Sequence, residues 1–221
     1  MTGTGARYIV IEGPIGVGKT SLAELLAEQL KARKHLEMAE NNPFLHDFYR
    51  DRRRYAFQVQ LYFLLHRYRQ QQELLQFDLF KQTVISDYLF AKDKIFAYIN
   101  LDENELALYE KIHPLLEMRV PLPDLVIYLQ ASTEVLLHRI DLRGRPYERN
   151  IDPLYLDEVN QAYNHFFFHY TANPLLVINT NEIDFVKRKE DLEDLIKQIN
   201  EMKRGTQYYV PLGSRSGGIR Q

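Results

Sequence analysis

The sequence predicts an α/β protein whose parallel sheet is covered by helices on both faces. Three observations carry that expectation. Short segments rich in β-branched residues recur along the chain: "YIVIE" (8–12), "TVISD" (83–87), "DLVIYLQ" (124–130) and "LLVINT" (175–180). Each is near-continuously apolar, the pattern of a strand buried on both faces. Longer stretches with helical periodicity separate them, which calls for right-handed crossovers and a parallel sheet. Finally, the first strand runs into a glycine-rich turn and then an amphipathic helix, "RYIVIEGPIGVGKTSLAELL" (7–26).

Taken in order, that turn is the most specific feature. Gly13-Pro14-Ile15-Gly16-Val17-Gly18-Lys19-Thr20, followed by Ser21, satisfies the P-loop pattern with a strand before it and a helix after it. Glycines let backbone N–H groups close around a phosphate, and the helix N-terminus adds its positive dipole. Lys19 is placed to reach the β- and γ-phosphates of ATP, and the Thr20 hydroxyl to ligate Mg²⁺.

Leu22, Leu25, Leu26 and Leu30 form the buried stripe of the helix that follows. "RKHLEM" (33–38) reads as a weaker strand. A long helical segment runs from about Asp51 to Gln76, with Phe57, Leu61, Leu64 and Leu65 on one stripe. Another helix, from about Glu103 to Met118, is stopped by Pro121 and Pro123 before the fourth buried strand. These elements predict a P-loop α/β fold with a five-stranded parallel sheet in the order 2-3-1-4-5. Residues 1–204 are expected to form a single domain. Residues 205–221, rich in Gly, Ser and Arg, are expected to be a flexible tail.

The bulk properties narrow the class. A net charge of −2 over 221 residues gives no reason to expect a nucleic-acid or membrane partner. The absence of cysteine excludes disulfides and thiolate metal sites and fits a cytoplasmic protein. No apolar run approaches the roughly 18 residues of a membrane helix, and the first strand begins too early to leave room for a signal peptide.

Ligands of open parallel sheets sit beyond the carboxyl ends of the strands. Asp87 closes "TVISD" there, a candidate for holding Mg²⁺, and Glu37 follows the weak strand, a candidate base for a hydroxyl nucleophile. "HRIDLRGRPYERN" (138–150) supplies Arg139, Arg143 and Arg145 around a helix-breaking Gly144, as an arginine-rich lid over a triphosphate would. The run Arg50–Arg54 lacks any aromatic stacking platform and reads as a solvated face. His165 and His169 lack a third metal ligand and read as ordinary core or surface residues.

These residues resemble the deoxynucleoside kinase family, particularly its bacterial deoxyguanosine and deoxyadenosine kinases, across nearly the whole globular part. "EMAENNPFL" (37–45) resembles the family's E-x-x-E-x-N-P-[FY] stretch, which implies Glu37 as catalytic base. "YRDRRRYAFQVQLYFLLHR" (49–67) resembles a tyrosine at the sugar 3′-hydroxyl followed by a base-reading Gln and Arg, implying Tyr49, Gln60 and Arg67. "SDYLFAKD" (86–93) occupies the place of an acidic-Arg-Ser motif, implying Asp87 as its acid and Asp93 as a further base reader. The arginine segment resembles the lid, with Arg139, Arg143 and Arg145 on phosphates and Glu148 near the 3′-hydroxyl.

Two positions depart from the pattern: Met38 stands for a proline, and Tyr88 for an arginine near the acceptor 5′-hydroxyl. Asp-Tyr also occurs in the bacterial purine-directed members, so the resemblance implies that the second departure points to that subgroup rather than to lost activity, and it leaves open which arginine compensates. The implied reaction moves the γ-phosphate of ATP to a deoxynucleoside, with Mg²⁺ as cofactor and a homodimer as assembly. Apolar residues on several faces of 54–76 and 102–118, including Tyr62, Phe63, Leu106 and Tyr109, agree with long helices that pair. A nucleoside-monophosphate kinase and a non-catalytic nucleotide-binding subunit of the same fold are the alternatives.

Overall fold

The computed structural model describes residues 7–76, 82–149 and 151–211. Its centre is a parallel sheet built from β1 (Tyr8–Glu12), β2 (Arg33–His35), β3 (Val84–Ser86), β4 (Leu125–Gln130), β5 (Leu175–Asn179) and β6 (Thr206–Tyr209). The strand order is β2-β3-β1-β4-β5-β6. The five expected strands thus take the expected order, with Ile9 beside both Ile85 and Leu125. A sixth strand extends the sheet where a tail was expected. Thr206–Tyr209 pairs in parallel with β5, Leu175 opposite Thr206, so these residues belong to the sheet. Gly205, at φ 71°, turns the chain into it, and the exposed side chains of Thr206, Gln207 and Tyr208 explain why no buried-strand pattern was visible. The tail expectation otherwise falls on residues 212–221, which lie outside the described residues.

Strands β1, β3 and β4 are buried almost throughout, as their uninterrupted apolar sequences require. Helices α1 (Lys19–Gln29), α2 (Leu45–Arg50), α3 (Arg52–Gln76), α4 (Asp93–Asn100), α5 (Glu103–Glu117), α6 (Thr133–Arg143), α7 (Pro153–Phe168) and α8 (Lys189–Glu201) complete the fold. Their ends carry local signals. Asp102 and Glu105 form a reciprocal capping box at the start of α5, and Asp152 caps α7 ahead of Pro153. Gly144 ends α6 in the left-handed conformation at φ 66°.

Among the described residues no helix is long and apolar enough to cross a membrane. Two features of this scaffold aim at one place. The P-loop leaves the carboxyl end of β1, and the 25-residue α3 passes beside the same end with Gln60, Arg67 and Gln71 buried on its inner face. Polar side chains at helical spacing within an otherwise packed face must find partners or line a cavity. Gln71 finds the hydroxyl of Tyr8; Gln60 and Arg67 line the cavity.

Candidate active site

The P-loop wraps the carboxyl end of β1 in a conformation that glycine alone makes easy. Gly16 has φ 86°, and a Cβ there would lie 2.8 Å from Ile140 and 2.9 Å from the Leu136 carbonyl, so α6 packs directly on the loop. Lys19 Nζ donates to the carbonyls of Gly13 at 2.8 Å and Pro14 at 3.1 Å. Burial, and then the charge of nearby Lys92, lowers its pKa to about 8. Thr20, the next residue of α1, donates its hydroxyl to Asp87 Oδ2 at 2.6 Å.

Asp87 follows β3 directly, and its other oxygen accepts the backbone N–H of Glu37 at 2.7 Å. One carboxylate therefore links the phosphate loop to the segment after β2. Burial raises the Asp87 pKa, opposed by its hydrogen bonds from Thr20 and Glu37. A hydroxyl and a carboxylate in contact are hard oxygen donors of the kind Mg²⁺ prefers, with phosphate oxygens and water completing its shell. Thr20 and Asp87 fit that ion.

Glu37 faces the same cavity and is held from two sides. Its Oε1 accepts from Arg67 Nε at 2.6 Å, and its Oε2 accepts from Lys92 Nζ at 2.9 Å. Burial would raise its pKa, but the positive charges of Arg67 and Lys92 outweigh it and hold the carboxyl well below the usual range. Glu37 is ionised throughout the working pH range. Beyond it the cavity is lined by Tyr49, Gln60, Phe63, Tyr155 and Tyr163, four aromatic faces beside one amide.

The expected base readers are arranged differently from expectation in one respect. Asp93 has no exposed surface and does not line the cavity. It sits behind Gln60 and Arg67 and clamps both. Gln60 Nε2 donates to its backbone oxygen at 2.8 Å and its Oδ2 at 2.6 Å, Arg67 pairs with its Oδ1, and the Tyr109 hydroxyl donates at 3.0 Å. With both amide hydrogens committed to Asp93, Gln60 offers the cavity its carbonyl oxygen as acceptor. The buried position of Asp93 is a consequence of α4 packing on α3, which no spacing in the sequence encodes.

The lid is similarly divided. Arg143 and Arg145 line the cavity. Arg143 pairs with Glu148, and Arg145 reaches Glu40 at 3.2 Å and the Tyr147 hydroxyl at 2.9 Å. Tyr147 stacks on Tyr49, ring centroids 6.4 Å apart, so lid and helix α2 meet across the cavity mouth. Arg139, expected on phosphates, is not among the lining residues. Its guanidinium donates to the carbonyls of Val17 at 3.2 Å and Thr180 at 2.6 Å, bracing the P-loop against the turn after β5.

A phosphate loop, an ionised carboxylate beside it and an aromatic slot under an arginine lid form one cavity. A family model described as deoxynucleoside kinase matches residues 9–204. The chain belongs to the deoxynucleoside kinase family. It is 38% identical over 202 residues to a deoxyguanosine kinase of Bacillus subtilis, covering 89% of this chain and 98% of that one. It is 32% identical to a deoxyadenosine kinase of Lactobacillus acidophilus over 212 residues, 90% of this chain and 97% of the other. The fold superposes on a solved deoxyadenosine kinase from M. mycoides with bound dATP, TM-score 0.77 at 26% identity, covering 88% of this chain and all of that one. The expected fold, family and kinase class are borne out.

Within this family site, several lining residues escaped the sequence reading, among them Tyr155 and Tyr163 of α7, Lys92 and Tyr147. Lys92 is 2% exposed and touches Glu37 directly. It lies inside the "SDYLFAKD" stretch, followed directly by Asp93 and Lys94, so no pattern in the sequence set it apart. Tyr147 lies within the lid segment, and only the approach of α2 gives its ring a partner. Tyr88, in place of the family arginine, points away from the cavity: its hydroxyl meets His35 Nε2 at 2.8 Å on the β2 side.

Proposed function

We propose that this protein phosphorylates the 5′-hydroxyl of a purine deoxynucleoside, deoxyguanosine or deoxyadenosine, with ATP as donor. The observation that carries the reading is the ionised Glu37 carboxylate, held by Arg67 and Lys92 in the cavity that the P-loop closes. The acceptor hydroxyl gives its proton to Glu37 as its oxygen attacks the γ-phosphorus in line; the bond to the bridging oxygen breaks and ADP departs. Lys19, Arg143 and Arg145 balance charge on the phosphates. Bound Mg²⁺, held by Thr20 and Asp87, would neutralise the β- and γ-oxygens.

A neutral acceptor suits this cavity better than a monophosphate. Both cations nearest the acceptor carboxylate, Arg67 and Lys92, are already paired with acidic groups. The relatives named for deoxyguanosine and deoxyadenosine support a purine, and Gln60 with Arg67 supplies an acceptor and a donor for its edge. In this reading Tyr49 and Glu148, both at the cavity wall, bracket the 3′-hydroxyl and disfavour a 2′-hydroxyl beside it. A panel of deoxynucleosides, ribonucleosides and monophosphates tests all of this. Deoxyguanosine or deoxyadenosine should exceed its ribose counterpart in kcat/KM by at least about tenfold, and monophosphates should gain no phosphate. Equal efficiency for both sugars overturns the assignment.

We also propose a homodimer through α3 and α5. Of the residues first expected there, Tyr109 is buried against Asp93 and Phe63 lines the cavity, so neither is available for a partner. The exposed apolar residues of these helices are instead Leu65, Leu75, Leu108 and Leu115, with Met118 just beyond. Light scattering at micromolar protein should give about twice the 26.2 kDa chain mass. A mass near one chain removes the proposal.

A further inference from the structure

Lys92 is a buried cation that faces two carboxylates of the site, Glu37 and Glu12. We propose that Lys92 is a positioning residue that sets the Glu37 carboxylate for the acceptor hydroxyl. It does so by anchoring that carboxylate to Glu12 at the root of the P-loop. The inference rests on the assignment of Glu37 as the base.

Lys92 ends a short 3-10 turn, Phe90–Lys92, immediately before α4. Its backbone is therefore held at a helix start rather than on a loose loop. The side chain is buried over the Tyr88 ring, 6.0 Å from its centroid, and its ammonium emerges between two carboxylates. Glu37 Oε2 lies at 2.9 Å and Glu12 Oε1 at 3.8 Å. The two distances divide the roles. Glu12 already accepts the N–H of Gly13 at 2.9 Å, the N–H of Leu89 at 2.7 Å and the hydroxyl of Tyr163 at 3.1 Å. Its hydrogen-bonding needs are met without Lys92; burial raises its pKa, opposed first by the Lys92 charge, so the 3.8 Å contact ties the two groups electrostatically. The direct hydrogen bond goes to Glu37.

Stability alone gives little reason for such a lysine, because a buried ion pair is commonly matched by a well-packed apolar side chain. Its position has a clearer consequence for orientation. Arg67 holds Oε1 of Glu37 from the base-reading side, and Lys92 holds Oε2 from the P-loop side. Two charge-assisted contacts from different elements fix the carboxylate plane and still leave a lone pair on each oxygen for the acceptor hydroxyl. The lysine is thus tied to Gly13 through Glu12, so the carboxylate is located relative to the phosphate loop itself. The sub-ångström placement required for in-line attack depends on such ties.

A double-mutant cycle between Lys92→Met and Glu37→Gln tests this, with steady-state kcat and the KM of both substrates as readouts. Lys92→Met in the wild-type background should lower kcat about 10²-fold with both KM values within about threefold. In the Glu37→Gln background the same change should cost less than about threefold, because the group it positions is gone. Lys92→Arg, which keeps the charge, should recover kcat to within about tenfold of wild type.

Equal losses in both backgrounds, or a raised KM with unchanged kcat, overturn the proposal. An ineffective Glu37→Gln would instead overturn the base assignment. If Lys92→Met alone yields no folded protein, the pair Glu12→Gln/Lys92→Met removes the cation with its counter-charge and is run through the same cycle against Glu12→Gln. Failure of that pair to fold would make Lys92 a structural cation and would also overturn the proposal.

Discussion

Replacing Glu37 with glutamine should lower kcat by about 10²–10⁴-fold, roughly 3–5 kcal/mol of barrier, while leaving ATP binding nearly intact. The substitution keeps the size but removes the basicity and the charge, and its single carbonyl oxygen can accept from only one of Arg67 and Lys92. ATP affinity is carried by the P-loop backbone and Lys19, neither of which contacts the Glu37 side chain. Because Arg67 and Lys92 hold the carboxyl below the usual range, Glu37 is a weak base. Weak basicity is tolerable where the transition state is loose and the proton moves late, and it keeps the residue ionised at every working pH. Glu40→Gln is the internal control. Glu40 lies outside the cavity lining and pairs with Arg145 of the lid, so its loss should change kcat by less than about tenfold. If the two variants behave alike in single-turnover and steady-state assays, the base is misassigned.

Arg67→Met should be the most damaging single change to stability, costing about 3–5 kcal/mol in urea unfolding. Arg67 is 4% exposed, and its guanidinium serves two carboxylates at once, Glu37 and the fully buried Asp93. Methionine fills much of the volume beside Phe63 but leaves Asp93 with only the Gln60 amide and the Tyr109 hydroxyl. The loss should also depend on pH. Burial raises the Asp93 pKa already, with Arg67 opposing; without the arginine it rises further above its unfolded value. A raised folded pKa means that the folded state binds a proton the unfolded state has released. Stability is then lost as pH rises, so the deficit at about pH 8 should exceed that at about pH 5. A deficit below about 1 kcal/mol, or one independent of pH, would show that Asp93 does not need this partner.

Much of this protein is written locally, and that part was readable from the sequence. The P-loop is a contiguous stretch whose glycines, lysine and threonine act through their own backbone geometry, so spacing alone identifies it. The strands β1, β3, β4 and β5 are buried on both faces and announce themselves as apolar runs. β6 does not, since an exposed edge strand carries no such pattern and is held by its backbone ladder to β5. Roles that depend on which neighbour arrives from elsewhere were decided only by tertiary packing. Asp93 lies behind Gln60 because α4 packs on α3, Arg139 braces Val17 because the turn after β5 comes alongside, and Lys92 meets Glu37 because the turn before α4 packs beside the segment after β2. Charge pairing in a buried site is a property of distances between segments far apart in the chain. A one-dimensional pattern supplies the candidates for those pairs; the folded distances select among them.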